Sequence, residues 1–265
     1  MKAERSAHYA VVNGLEIYYE MHGPAGKGPP LVLLHGGVGG IEMFGPNLPA
    51  LAQSHRIIAV DLQGHGRTAD VDRPLRYESM ADDIAALIKQ LGAAPADVMG
   101  YSLGGGVALQ TAIRHHDLVN KLIVVSCPFK RDGFYPEILA IFDQMGPAAA
   151  AGMKQSPLYK LYPKVDWERL FTKLGDLQRQ EFDWSRDVAK IGAATMLVFA
   201  DADTYRLEHI TELYKLLGGG QRDAGLDGSL RSPNRLAIVP GTTHYDILAT
   251  TTVAGMVDQF LGAAK

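Results

Sequence analysis

Residues 96–106 read Ala-Asp-Val-Met-Gly-Tyr-Ser-Leu-Gly-Gly-Gly, and they force a sharp change of direction in very little space. A short apolar run leads into Gly100-Tyr101-Ser102-Leu103-Gly104, and a helix-like run over 107–113 follows. A serine on so tight a strand-to-helix turn has strained backbone angles. Side chains two positions before and after it would collide, which calls for glycine at 100 and 104. The turn lifts the Ser102 hydroxyl clear of the sheet and aims it at the start of the next helix. Backbone N–H groups there lack partners and can hold an anion.

The rest of the chain repeats the strand-and-helix alternation that this turn implies. Residues 9–12 and 15–20 flank Asn13-Gly14, a two-residue hairpin signal. Residues 31–34 and 57–60 are buried-strand patterns, with a helix expected over 43–53. Residues 78–91 carry apolar side chains at 80, 84, 87, 88 and 91, a helical spacing, with Gly92 at the stop position. Further strands are expected at 121–125, 194–200 and 235–239. Such a series predicts an α/β fold: a mostly parallel central sheet, an antiparallel N-terminal edge, and helices on both faces.

Two strand ends supply what a serine nucleophile needs, a base and a carboxylate to orient it. Asp201-Ala202-Asp203 follows the run at 194–200. His244 closes Pro240-Gly241-Thr242-Thr243-His244, read as a loop after 235–239. The order is serine, then aspartate, then histidine, and spacing alone does not separate Asp201 from Asp203. The run at 31–34 leads into His35-Gly36-Gly37-Val38-Gly39-Gly40, a loop whose N–H groups can approach a substrate oxygen. With the Leu103 N–H it would form an oxyanion hole, worth roughly 2.7–4 kcal/mol per donor.

Taken together these stretches, with Asp61-Leu62-Gln63-Gly64-His65-Gly66-Arg67, resemble the α/β-hydrolase family in its single-domain carboxylesterase and lipase-like form. The resemblance runs from about residue 30 to 245. It implies a triad of Ser102, Asp203 and His244, with Gly37 and Leu103 as oxyanion donors. Asp203 is the last residue of a G-x-x-D type segment, although Ala200 stands where glycine is usual. The implied activity is hydrolysis of small or medium carboxylic esters through an acyl-serine, without a cofactor or metal. Perhydrolysis, lactone or C–C hydrolysis would use the same triad, and a slow-turnover ligand receptor is a reading of another class. Dehalogenase and epoxide-hydrolase chemistry on this fold needs a carboxylate at the elbow, where this chain has serine.

Composition narrows the partners. With 265 residues and 47% hydrophobic content the chain can build one large core, and a net charge of −3 gives no electrostatic case for nucleic acid or an anionic membrane. The expected partner is a small-molecule ester, with the protein a monomer or homodimer. One cysteine, Cys127, excludes an internal disulfide, and no apolar leader follows Met1-Lys2-Ala3-Glu4-Arg5-Ser6, which suits a cytoplasmic setting. Neither glycine run carries the Lys-Ser/Thr of a phosphate loop, and no H-E-x-x-H spacing offers a metal site.

Residues 128–190 break the rhythm, with prolines at 128, 136, 147, 157 and 163 and helical fragments expected at 137–145 and 167–173. They are read as a helical cap inserted into a core of 1–127 and 191–265, over the carboxyl ends of the strands. Of its aromatics, Phe129, Phe134, Tyr135, Phe142, Tyr159 and Tyr162, most are expected to pack the cap onto the body. Residues 218–234 read as a long exposed loop. His35, His65 and Arg67 are expected to be scaffold, Arg67 by pairing with a carboxylate. The His115-His116 pair ends a helix, and Cys127 is read as a small residue at the core edge.

Overall fold

Asn13 and Gly14 take φ of 48° and 79°, the left-handed pair that a two-residue hairpin turn requires. The chain therefore starts as an antiparallel pair, β1 (Ser6–Val12) against β2 (Leu15–His22), with Val12 opposite Leu15. The computed structural model describes residues 5–26 and 28–262, so Met1 to Glu4, part of the stretch read for a leader, lie outside the described residues. Six further strands complete one sheet: β3 (Leu31–Leu34), β4 (Ile57–Val60), β5 (Ala96–Tyr101), β6 (Val119–Val125), β7 (Ala194–Ala202) and β8 (Arg235–Thr243). Their order is β1-β2-β4-β3-β5-β6-β7-β8. From β4 to β8 all neighbours are parallel, whereas β2 runs antiparallel to both β1 and β4.

Among the described residues ten α-helices accompany the strands, the last of them following β8. They are α1 (Asn47–Leu51), α2 (Tyr77–Gln90), α3 (Leu103–Arg114), α4 (Pro136–Asp143), α5 (Pro147–Ala150), α6 (Pro157–Leu161), α7 (Trp167–Gln178), α8 (Ser185–Val188), α9 (Leu207–Leu216) and α10 (Thr252–Gly262). Because side chains alternate along a strand, a central strand feeds two cores. Val32 and Leu34 of β3 join Ile84 of α2 and Val107 of α3 on one face. Leu31 and Leu33 join Leu51 of α1 and Phe260 of α10 on the other. Covering both faces is why the parallel strands read as unbroken apolar runs. Among the described residues no helix is long and apolar enough to cross a membrane.

Several expectations need correction. The helix expected over 43–53 is two pieces, a 3-10 turn at Ile41–Phe44 and the short α1. Gly45 takes φ of 47° and Pro46 has no N–H to continue a ladder, so the helix cannot run through. Residues 240–243, expected as loop, continue β8: Ala202 pairs with Thr243 after a register shift in β7. Pro240 is tolerated because β8 is an edge strand and a missing donor there costs no pairing. Helix α7 runs on to Gln178, past the expected 167–173.

The stop at Gly92 has the form that sequence suggests. Ala93 N–H donates to the Ile88 carbonyl at 3.0 Å and Gly92 N–H to Lys89 at 3.1 Å, while Gly92 takes φ of 59°. These paired bonds satisfy carbonyls that the end of α2 would otherwise leave open. Five helices, α4 to α8, lie between β6 and β7. The ends of that segment meet at an antiparallel bridge between Lys130 and Asp183. Residues 218–234 form turns and bends only, with Leu226 fully exposed.

Candidate active site

The parallel strands all end at one edge of the sheet, and the residues singled out from sequence lie just past those ends. At the end of β5, Ser102 takes φ of 54° and ψ of −115°, a conformation that a side chain adopts only when its surroundings impose it. They do: Ser102 N–H donates to Val125 at 2.9 Å and Gly104 N–H to His35 at 3.0 Å. A Cβ on Gly100 would stand 2.0 Å from the Gly104 carbonyl oxygen, and one on Gly104 would stand 2.1 Å from that of Leu34. The glycine spacing is thus a steric requirement of three chain segments crossing.

His244 follows β8, and the Tyr101 hydroxyl donates to its carbonyl at 2.5 Å, tying the histidine backbone to β5. The His244 ring reaches both predicted partners. Its Nε2 lies 3.0 Å from Ser102 Oγ, and its Nδ1 lies 2.9 Å from Asp203 Oδ1. Burial pushes the Asp203 carboxyl up. The hydrogen bond and charge of His244, the Ser126 hydroxyl at 2.6 Å and the Ala200 N–H at 3.0 Å outweigh it, and the carboxyl stays below its ordinary value. An ionised Asp203 accepts, so Nδ1 carries the imidazole proton and Nε2 is free to accept from the serine hydroxyl.

Asp201, the other carboxylate, is elsewhere. It is exposed and accepts from the N–H groups of Gly241 and Thr242 at 2.9 and 3.1 Å, which holds its carboxyl below the ordinary value. Its contacts brace the β8 end that carries His244. Gly37 and Leu103 line the same cleft as Ser102 and His244. Leu103 is the first residue of α3, where no intrahelical acceptor exists. Among the described residues neither its N–H nor that of Gly37 donates to a protein acceptor.

Three contributors escaped the sequence reading. Ser126, at φ 45°, sits just past β6 and holds the far oxygen of Asp203. Thr204 donates its N–H to Asp203 Oδ1 at 2.8 Å and places its hydroxyl 3.3 Å from His244 Nδ1. Tyr101 anchors the histidine. The one available signal was positional: Ser126 directly follows an apolar strand, as Ser102 and His244 do.

The scaffold residues behave as expected. His35 is fully buried, accepts from Leu62 N–H at 3.0 Å and bonds the Gly36 carbonyl at 2.7 Å. Burial pushes it down to about 4, so it stays neutral. His65 is likewise buried and pushed down to about 3. Arg67 pairs with Asp61 at 3.1 Å and with Glu42, and Tyr162 also bonds Glu42. His115 pairs with Asp82 at 2.7 Å. Cys127 is buried with its thiol on the Pro128 carbonyl at 3.0 Å, and burial raises its pKa.

The cleft above Ser102 has a volume of about 210 Å³. Its far wall comes from the segment between β6 and β7: Phe134, Ile138, Phe142, Met145 and Leu174. Only two of the six aromatics noted in that segment face it. Phe129 instead stacks on His209 at 4.3 Å, and Tyr162 packs under Arg67. The arrangement can therefore present an activated hydroxyl and two free N–H groups to a largely apolar ligand.

Comparison with known proteins agrees with this architecture. A model of the alpha/beta hydrolase family matches residues 31–255. The chain is 37% identical over 166 residues to a putative carbamate hydrolase RutD of Caulobacter vibrioides, covering 59% of this chain and 58% of that protein. It is 38% identical over 130 residues to a pimeloyl-(acyl-carrier protein) methyl ester esterase of Aeromonas hydrophila, 45% of this chain and 48% of that protein. The chain thus matches about half the length of these curated relatives. Among solved structures, the enol-lactonase of Burkholderia xenovorans shares the fold with a TM-score of 0.76 at 19% identity, over 97% of this chain and all of that one. With a family match across most of its length and the matching sheet and elbow, the chain belongs to the alpha/beta hydrolase family.

Proposed function

We propose that this protein is a serine hydrolase of small or medium carboxylic esters, with Ser102 as nucleophile, His244 as base and Asp203 as the orienting acid. The observation that carries this reading is the unbroken hydrogen-bonded line from Asp203 through His244 to Ser102, opening into an apolar cleft. In the reaction Ser102 Oγ attacks the ester carbonyl carbon as its proton passes to His244 Nε2. The oxyanion is held by the N–H groups of Gly37 and Leu103. Asp203 stabilises the imidazolium. The C–O bond breaks, the alcohol takes the proton from His244, and the acyl group stays on Ser102. Water, deprotonated by His244, then attacks the acyl-serine and releases the acid.

The two curated relatives are named for a carbamate and a methyl ester, and both groups present a carbonyl carbon with a heteroatom leaving group. Within the same reading, residues 128–190 act as a cap on the core of 1–127 and 191–265, since α4 and α7 supply the wall opposite Ser102. The test is hydrolysis of p-nitrophenyl acetate and butyrate by the wild type and by Ser102→Ala. Turnover abolished by the substitution is expected. Equal turnover in both proteins, or none in a folded wild type, refutes the assignment.

A further inference from the structure

The backbone beside Gly37 is strained. Val38, the next residue, takes φ of 67°. That region suits glycine, and a β-branched residue stays there only where its surroundings impose it. The loop does not hold itself in this shape. Among the described residues no N–H of residues 37–40 donates to a protein acceptor. Its conformation is therefore set from its two ends.

The near end is fixed within the core. His35 Nδ1–H donates to the Gly36 carbonyl at 2.7 Å, and its Nε2 accepts from Leu62 N–H at 3.0 Å. The far end is fixed by side chains from other segments. Ile41 N–H donates to Asp61 Oδ1 at 2.8 Å. Asp61 Oδ2 accepts from the Arg67 N–H at 2.9 Å and from its Nη1 at 3.1 Å. The Arg67 guanidinium lies over the rings of Tyr18 and Tyr162, 5.0 and 5.3 Å from their centroids, and pairs with Glu42.

Tyr162 closes this end. It follows α6, in the segment between β6 and β7, and is buried. Its hydroxyl donates to the Glu42 carboxylate, a charge-assisted bond of the stronger kind. It also lies hard against the loop, since a Cβ on Gly40 would run into that hydroxyl. Burial pushes the Glu42 carboxyl up, but Arg67 and Tyr162 outweigh it, so Glu42 offers them a charge. Release of this end lets Val38 relax to negative φ. Rotation there swings the short loop and carries the Gly37 N–H off line.

Resting on the serine hydrolase reading, we propose that Tyr162 is a positioning residue for the oxyanion hole. Through Glu42 and Arg67 it closes the far end of the loop, keeps Val38 in its strained conformation and keeps the Gly37 N–H aimed at the oxyanion. It touches no reacting atom.

The experiment compares p-nitrophenyl butyrate with O-(4-nitrophenyl) butanethioate, whose thiocarbonyl sulfur is a weak acceptor. The two share acyl chain and leaving group. The ratio of their kcat/KM values within each protein therefore reads the oxyanion contacts, and a general loss of folding or of the triad cancels. Tyr162→Phe should lower the ratio about tenfold, part of the roughly 10²–10³ that loss of a whole oxyanion donor costs. Glu42→Ala removes the same bond from its other end and should act in the same direction. Glycine takes positive φ without a side-chain penalty, so in a Val38→Gly background Tyr162→Phe should lower the ratio about twofold or less. A wild-type ratio in both Tyr162→Phe and Glu42→Ala overturns the proposal. So does a Tyr162→Phe loss that is as large in the Val38→Gly background. Failure of the underlying reading looks different: turnover of p-nitrophenyl butyrate would then persist in Ser102→Ala.

Discussion

Gly104→Ala is a sharp probe of the elbow because its cost can be worked from the coordinates. The added Cβ would meet the Leu34 carbonyl oxygen at 2.1 Å and the His35 carbonyl oxygen at 2.5 Å. Both are backbone atoms and cannot swing aside. Relief requires α3 to move away from β3 by about 1 Å, and overpacking of this kind costs about 1–3 kcal/mol. The same displacement separates the Leu103 N–H from that of Gly37. A misplacement of about 1 Å at a reacting centre lowers turnover by roughly 10²-fold. Gly105→Ala is the control, since its Cβ would press on the Cys127 side chain at 2.5 Å. It should destabilise comparably while sparing turnover. The assay is urea unfolding together with kcat and KM for p-nitrophenyl butyrate. We expect kcat to fall in Gly104→Ala and KM to change little. Wild-type kcat and stability in that variant would refute the steric account of the glycine spacing.

Three further outcomes follow from the same geometry. Asp203→Asn should lower kcat about 10⁴-fold by favouring the wrong imidazole tautomer, whereas Asp201→Asn should leave turnover close to wild type; the reverse result in steady-state kinetics would exchange their roles. Ser126→Ala removes a charge-assisted bond worth roughly 1.5–3 kcal/mol. Asp203 is held below its ordinary 3.8, so its contribution is present above that value and lost as pH falls through the folded one. Taking away the Ser126 hydroxyl raises the folded value, so acid unfolding should begin at higher pH, as read by far-UV circular dichroism. The third concerns the buried histidines. His35 and His65 are pushed from 6.5 down to about 4 and about 3 by burial, so the unfolded chain binds their protons first. Their contribution is complete above pH 6.5 and declines as pH falls, by about 1.4 kcal/mol per pH unit for each. Urea midpoints that stay flat between pH 6.5 and 4.5 would contradict the neutral assignment.

Much of the fold was legible because its causes are local. The hairpin at Asn13-Gly14 needs two positive φ angles, and those residues accept them. The parallel sheet shows in strands 31–34 and 57–60 because both faces are covered, leaving no polar alternation. Where local cues competed, the reading slipped. Gly45 and Pro46 divide the stretch 43–53 that was expected as one helix, and edge position lets β8 continue through Pro240, where a loop was expected.

The candidate site divides along the same line. The sequence by itself determined that Ser102 stands on a strained turn, because the glycines two residues to either side are demanded by contacts within that turn and its neighbouring strand. It also set the order of serine, aspartate and histidine at successive strand ends. Which carboxylate meets His244 was a tertiary decision. Asp201 and Asp203 differ by two positions, and only the bulged pairing of β7 with β8 turns one outward to the Gly241 and Thr242 amides and the other inward to the imidazole. The contacts of Ser126 and Tyr101 arise in the same way. Each touches a residue far away in the chain, and the distance between them is set by the order of strands in the sheet, which no local pattern encodes.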